Sequence, residues 1–575
     1  MERSMKKILY FTAVSVVIIS VLAAVSCGGS SGSSGGDTPP SATAQYISAL
    51  EETNGISYTT YVNQVSYIPS QCYTKTEDAQ GNVHNPCFSC HTKGTEPNFI
   101  NDAPLQLAYT FPVGGEKNPW NNLFVGREEL AAGISDNEIL EYVRTDNYKD
   151  ANGSIILRQT LPSDWPGYVP DCYMNFNSEG FDIDKNGNMT GWRAFRYYPF
   201  LGTFWPTNGS TDDVLIRLPE SFMQTEDGVF SVEIYKTNLA IVEALIKQRD
   251  VPCEPIDETV SGIDLDKNGT LATANEVKFE WAPVENIYMY YAGKAGALQK
   301  SGGLELAGGL FPAGTEFLHT VRYIDWDETA GSASMAKRMK EVRYARKIWW
   351  SNYQELFDFA QQEGIEDFQN GVMLPETYLG NYYQGMENGV GWILQGYIED
   401  KNGNLRPQTN EETTFCMSCH TTLGSTVDDI FSFSRKLEGT NPSDTEYGWN
   451  HWTQKGLKNI SEPKHTYEKH GEKYEYTFYL ENNHAGDEFR ENTEVIDKFF
   501  DNGTLKEDII EALHHDITVL LLPSRERTML LNKAYRAIVK EQSFNEGRDA
   551  SAVPAVNVHD ELEVDEETKI SATIY

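Results

Sequence analysis

The strongest constraint on this chain is a five-residue pattern that occurs twice. Cys87, Cys90 and His91 stand in NPCFSCHT, and Cys416, Cys419 and His420 stand in TTFCMSCHTT, with residues 92–415 between them. A Cys-x-x-Cys pair serves a dithiol switch, half of a zinc site, or the attachment of a c-type haem. A four-cysteine zinc site brings its pairs within about 15–20 residues of each other, far less than the spacing here. A dithiol switch does not need a histidine after the second cysteine, least of all twice. Haem attachment needs all three residues. Two thiols three positions apart on one side of a short turn can each add to one vinyl group, and the next residue sets its imidazole beneath the iron. The expected cofactor is therefore two covalent haem c groups, with His91 and His420 as proximal iron ligands.

The N-terminus sets the compartment. Arg3, Lys6 and Lys7 precede an apolar run from Ile8 to Val25, which ends at Ala24-Val25-Ser26-Cys27 before GGSSGSSGGDTPPS. A basic segment, an apolar segment and small residues before a break describe an export signal. The cysteine at the break resembles a bacterial lipoprotein signal, which implies lipidation at Cys27 and a body hung from the membrane on a Gly/Ser tether. The alternative is an uncleaved anchor. Gly28 after Cys27 lacks the aspartate that resembles an inner-membrane retention signal, so the outer membrane is the expected anchor, on either its periplasmic or its surface face. The formal net charge of −37 argues against a nucleic-acid partner, whose phosphates it would repel. It favours cations and basic redox partner proteins.

With signal and motifs together, the chain resembles a dihaem c-type cytochrome lipoprotein. The resemblance implies one-electron transfer between envelope redox partners. The alternative function is a dihaem oxidoreductase, peroxidase- or oxygenase-like, with one open-coordination haem; whether the protein is an enzyme stays open. The bacterial dihaem peroxidase and MauG-like family also has two such motifs, set much closer together than here. Carrier or enzyme turns on the sixth ligand of each iron. His451, His465, His470, His484, His514 and His515 follow the second motif, and adjacent His514 and His515 cannot both face one iron on a helix. For the first haem the candidates are His84, His319, Met174 and Met189. His319 lies in an alternating strand with Phe317, Val321 and Tyr323, where its other role is a core histidine. Met417 lies inside its own motif and is excluded.

Lipidation and attachment leave Cys72, Cys172 and Cys253, with one disulfide and one odd thiol as the simplest arithmetic. The expected fold class is α+β and multidomain: loop-rich helical haem-binding regions flanking a strand-rich middle. The expected division is 1–26 signal, 27–45 tether, 46–150 first haem region, 151–335 strand-rich region, 336–550 second haem region and 551–575 acidic surface tail. DVLIRL, VFSVEIY and FLHTVRYI read as strands. A helix is expected from Ser135 with a capping box to Glu138, and another over SRERTMLLNKAYRAIVKEQ, residues 524–542, with Leu531, Ala534, Tyr535 and Ile538 on one face. AKRMKEVRYARKIWW reads as a helix whose basic residues, Arg343 among them, form either a solvated face or a partner for haem propionates. Asp182, Asp184 and Asn186, and likewise Asp264, Asp266 and Asn268, occupy the first, third and fifth positions of half calcium loops. The DKNG-like stretches at Asp150 and Asp400 read as plain turns.

Overall fold

The computed structural model describes residues 41–575, apart from 113, 204, 371–378, 422, 424–427, 429–430, 439–446 and 486–488. The signal, Cys27 and most of the tether lie outside the described residues. Helix α1 (Ala42–Asn54), capped by the Ser41 side chain, occupies the last positions of the expected tether.

The fold is α+β. A nine-stranded sheet takes β1 (Phe181–Ile183), β2 (Met189–Phe195), β3 (Thr211–Arg217), β4 (Glu316–Asp327), β5 (Ser332–Lys347), β6 (Gly380–Asn381), β7 (Gly385–Glu387), β8 (Trp392–Glu399) and β9 (Leu405–Pro407). The order is β1-β2-β3-β4-β5-β8-β7-β6, with β9 on the side of β8. All pairs are antiparallel. The central strands are apolar on both faces because both faces are covered. Val214, Ile216, Phe317 and Leu394 pack into one core; Leu215, Leu318, Val342 and Tyr397 pack into another on the opposite side.

Two elements differ from expectation. Residues 336–347 are not helix but the greater part of β5, which runs through the expected junction at 335/336 and pairs with β4 and β8. Of its basic residues Lys337 and Arg346 are exposed, but the other four turn into the fold. Arg338 binds Glu399 at 3.0 Å, Arg343 binds Glu341 at 2.9 Å, Lys347 binds Asp428, and Lys340 donates to Gly209 O at 2.8 Å. Buried cations persist only when paired, and every anion but Glu341 sits on another element. The second difference is VFSVEIY. Ser231 accepts from Ile234 N and starts helix α3 (Val232–Lys247), preceded along the chain by α2 (Asp136–Arg144). Twelve of the residues of α3 are buried, so an all-round apolar helix looks like a strand when only its first turn is read.

The other helices follow the apolar spacing. Ser135 caps α2 through Glu138 N, while the Glu138 carboxylate pairs with Arg536. Three more helices complete the set used below: α4 (Asn410–Met417), α5 (Glu507–His515) and α6 (Arg525–Glu541), the last burying Leu531, Ala534, Tyr535 and Ile538. The acidic C-terminus is not a loose tail. Glu566–Glu567 pair with Ala108–Tyr109, and Val558 and Leu562 enter a core with Val65, Ile68 and Tyr73.

Candidate functional site

The two motifs adopt the same local structure. In the first, Cys87–Ser89 form a 3-10 turn, with His91 N bonded to Cys87 O at 2.9 Å. In the second, α4 ends at Met417 and His420 N bonds to Cys416 O at 3.1 Å. Ser89 and Ser418 each donate to the carbonyl three residues back, at 2.8 and 2.6 Å. Gln106 Nε2 and Asn388 Nδ2 each donate to the histidine carbonyl. Between the cysteines, Phe88 and Met417 are fully buried; Phe88 meets Tyr467, Phe478 and Tyr479 and ties the first motif to the C-terminal half of the chain. The second motif is set by α4, whose Thr409–Glu412 capping box is closed on both sides. Glu412 also receives Arg406 through two 2.8 Å bonds.

Both motifs open on one cavity, with about 1110 Å³ of empty space, part of it continuous with solvent. Cys90 comes from the first motif; Cys416, Cys419 and His420 come from the second. The facing wall is the sheet, where Val214, His319 and Arg343 lie in register on β3, β4 and β5. Phe317, Leu394, Phe415 and Phe431 make most of the space apolar.

The histidines differ in their hydrogen bonds. His91 Nδ1 donates to Asp102 Oδ2 at 3.1 Å. Among the described residues the buried His420 Nδ1 has no hydrogen-bond partner, and its ring lies 4.8 Å from Phe431. Burial pushes the His420 imidazole down to about 3, with Arg343 and His319 adding to the effect. His319 Nδ1 lies 2.8 Å from Asp213 O; burial, then Arg343, brings its ring down to about 4. Asp212, also on the cavity wall, is pushed up to about 7 by burial, against the hydrogen bond from Tyr197.

Other sixth-ligand candidates are used elsewhere. His451 bonds through both ring nitrogens, to Asp213 and Thr453, each at 2.7 Å. His84 binds Asp78 at 3.0 Å and stands against His484. His514 binds Glu462, while His515 on the other side of α5 pairs with Glu511 in solvent. His465 and His470 pack on Tyr467 and Phe478. Neither these histidines nor Met174 and Met189 line the cavity. Val321 and Tyr323, further along β4, do not line it either.

The disulfide arithmetic is corrected. Cys72, Cys172 and Cys253 are free thiols. Cys172 and Cys253 lie in the cores on opposite faces of the sheet. Cys72 sits near the motif thiols, and burial first, then Cys90, Cys87 and Cys419, push its pKa well above the usual value.

Neither calcium half-loop assembles as read. The Asp182 carboxylate is spent on Tyr173 N, Asn175 N and Thr190 Oγ1. Asp184 accepts from Asn186 N and Asn188 N and closes the β1–β2 hairpin. Asp150 and Asp400 make the same plain turn. At the other loop, Glu258 joins Asp264 and Asp266, with ligand atoms within 4.8 Å of one another. Glu258 lies before the loop, so the loop pattern could not point to it.

Among the described residues, no group of three motif thiols and imidazoles brings its ligand atoms within that distance. Tetrahedral zinc with Zn–S near 2.3 Å needs sulfurs about 3.8 Å apart, so the motifs do not form a zinc cluster. The second motif's donor set fits haem c instead: paired thiols on a turn, a following imidazole, and an apolar space beside them; the first motif has the same turn and imidazole, and reaches that space through Ser89 and Cys90.

The fold and site define an α+β protein built around one apolar, thiol- and imidazole-lined cavity, and no described helix is long and apolar enough to cross a membrane. The chain belongs to a lipoprotein family: the family described as a "-like lipoprotein" matches residues 56–515. It is also 32% identical, over 84% of this chain and 85% of the relative, to an "Uncharacterized lipoprotein" of Aquifex aeolicus. No solved structure matches.

Proposed function

We propose that this lipoprotein is a dihaem c-type cytochrome, anchored through Cys27 at the outer membrane, that passes single electrons between envelope redox proteins. One observation carries the reading: two Cys-x-x-Cys-His turns, far apart in sequence, open on one apolar cavity. Cys87 and Cys90 would hold one haem above His91, and Cys416 and Cys419 the other above His420. Haem c bound there supplies a one-electron ferric/ferrous couple. The protein fixes each imidazole, excludes water with Phe317, Leu394, Phe415 and Phe431, and offers an acidic surface to basic partners.

The unequal surroundings of His91 and His420 set two potentials. A carboxylate on the remote nitrogen raises ligand basicity and favours the oxidised metal; His91 has Asp102 and His420 has no such partner. The expected redox titration has two one-electron steps, the lower one at the His91 haem. Asp102→Asn is expected to raise only the lower step, by about 60 mV for a tenfold shift in the equilibrium. Two unmoved steps would sink this assignment. The rival reading, a dihaem oxidoreductase, is favoured by Asp212, whose Oδ1 lacks a hydrogen-bond partner beside the cavity.

Calcium is proposed at Glu258, Asp264 and Asp266 alone. Calcium at 100 times its Kd would stabilise the fold by about 2.7 kcal/mol. A melting temperature indifferent to calcium and chelator in the wild type would remove this ion.

A further inference from the structure

Resting on the dihaem reading, we infer that His319 is the sixth ligand of the second haem, so that this iron is held between His420 on the motif and His319 on the sheet. His319 on β4 lines the same cavity as His420, and the two imidazoles are close enough for His319 to help depress the His420 ring. His319 lies beside Val214 and Arg343 in the middle of the sheet, where strand pairing on both sides fixes its backbone.

The tautomer is settled by the neighbouring strand. Asp213 O is a carbonyl and can only accept, so the 2.8 Å contact requires His319 Nδ1 to carry the hydrogen. A neutral imidazole with its proton on Nδ1 has its lone pair on Nε2, the atom that binds iron. A backbone carbonyl on the remote nitrogen is a common way to orient a metal-bound histidine. The other candidate histidines lie away from the cavity, as described above. A second imidazole makes the His420 iron a six-coordinate carrier rather than an open site.

The sequence places His319 on a strand and offers it to the first haem, not to the second. The intervening chain from β4 to α4 decides that, by folding β5 beside β4 and β8 beside β5 before α4 begins.

The test uses the full chain, exported with haem attached. Electron paramagnetic resonance and near-infrared magnetic circular dichroism of the oxidised protein are recorded for wild type, His319→Ala and His319→Met. Covalent haem per chain is measured for each. The wild type is expected to show bis-histidine low-spin coordination at the His420 haem. In His319→Ala, half of the ferric haem signal should become high spin and return to low spin with added imidazole, with haem content unchanged. In His319→Met the same half should acquire a histidine–methionine signature. Low-spin spectra unchanged in both variants, or a high-spin His420 haem in the wild type, would overturn the assignment. Absence of covalent haem from every sample would instead overturn the dihaem reading itself, and haem content separates the two failures.

Discussion

The double variant Cys416→Ala/Cys419→Ala is expected to leave the exported protein with one covalently bound haem per chain instead of two. Each thiol makes one thioether bond, and the two motifs have equivalent turns, so the loss should be confined to the second site. Cys87→Ala/Cys90→Ala should give the mirror result. Haem staining on denaturing gels and the intact mass report the count. The variants should still fold, because the helix that carries the second motif is anchored upstream of Cys416, by Thr409, Glu412 and Arg406. Loss of both haems from either double variant would mean that the sites are not independent, and retention of both would mean that these cysteines do not attach haem.

Glu412→Ala is expected to be the most destabilising single change in that anchor. Glu412 and Arg406 are almost fully buried and joined by two 2.8 Å bonds. Removing one partner of a buried pair costs about 3–5 kcal/mol, because the other charge is stranded. Loss of the capping box adds roughly 1 kcal/mol. Denaturant unfolding reads the change. Arg406→Met/Glu412→Gln should recover most of it, since glutamine can close the capping box and no charge is left buried. A loss under about 1 kcal/mol for the single variant would show that the pair is more solvated than its burial implies.

The same pair gives an acid sensitivity. Burial alone would raise the Glu412 carboxyl, but Arg406 outweighs it and holds the group below its usual range. Glu341 is likewise brought down to about 2, where Arg343 and Arg548 overcome burial. A carboxylate with a depressed folded pKa stabilises the fold above its unfolded pKa, and this stabilisation is lost as pH falls through the folded value. For Glu341 that window runs from about 4.5 down to about 2.

The chemistry of the site was more legible in the sequence than its architecture. The spacing of Cys87, Cys90 and His91 implies a short turn with a following imidazole, and the structure has it in both copies. The alternation in FLHTVRYI gives β4, and the periodicity after Ser524 gives α6. Long-range pairing was not legible. Lys337–Lys347 read as a basic helix because Glu399 and Asp428, which neutralise two of its cations, are distant in sequence. That misreading hid Arg343 as a residue of the cavity wall. The meeting of the two motifs across residues 92–415 depends on the sheet between them, and no local pattern encodes it. Asp102 and Glu258 were missed for a related reason: each acts through a fold contact outside its motif.

The most direct test is the number of covalent haems on the exported wild-type chain, measured as iron, haem and intact mass of one purified, acid-denatured sample. Two haems per chain, with no other metal held by the motif cysteines, is the expected result. A chain without covalent haem, or one carrying zinc on those cysteines, would contradict the dihaem reading and everything inferred from it.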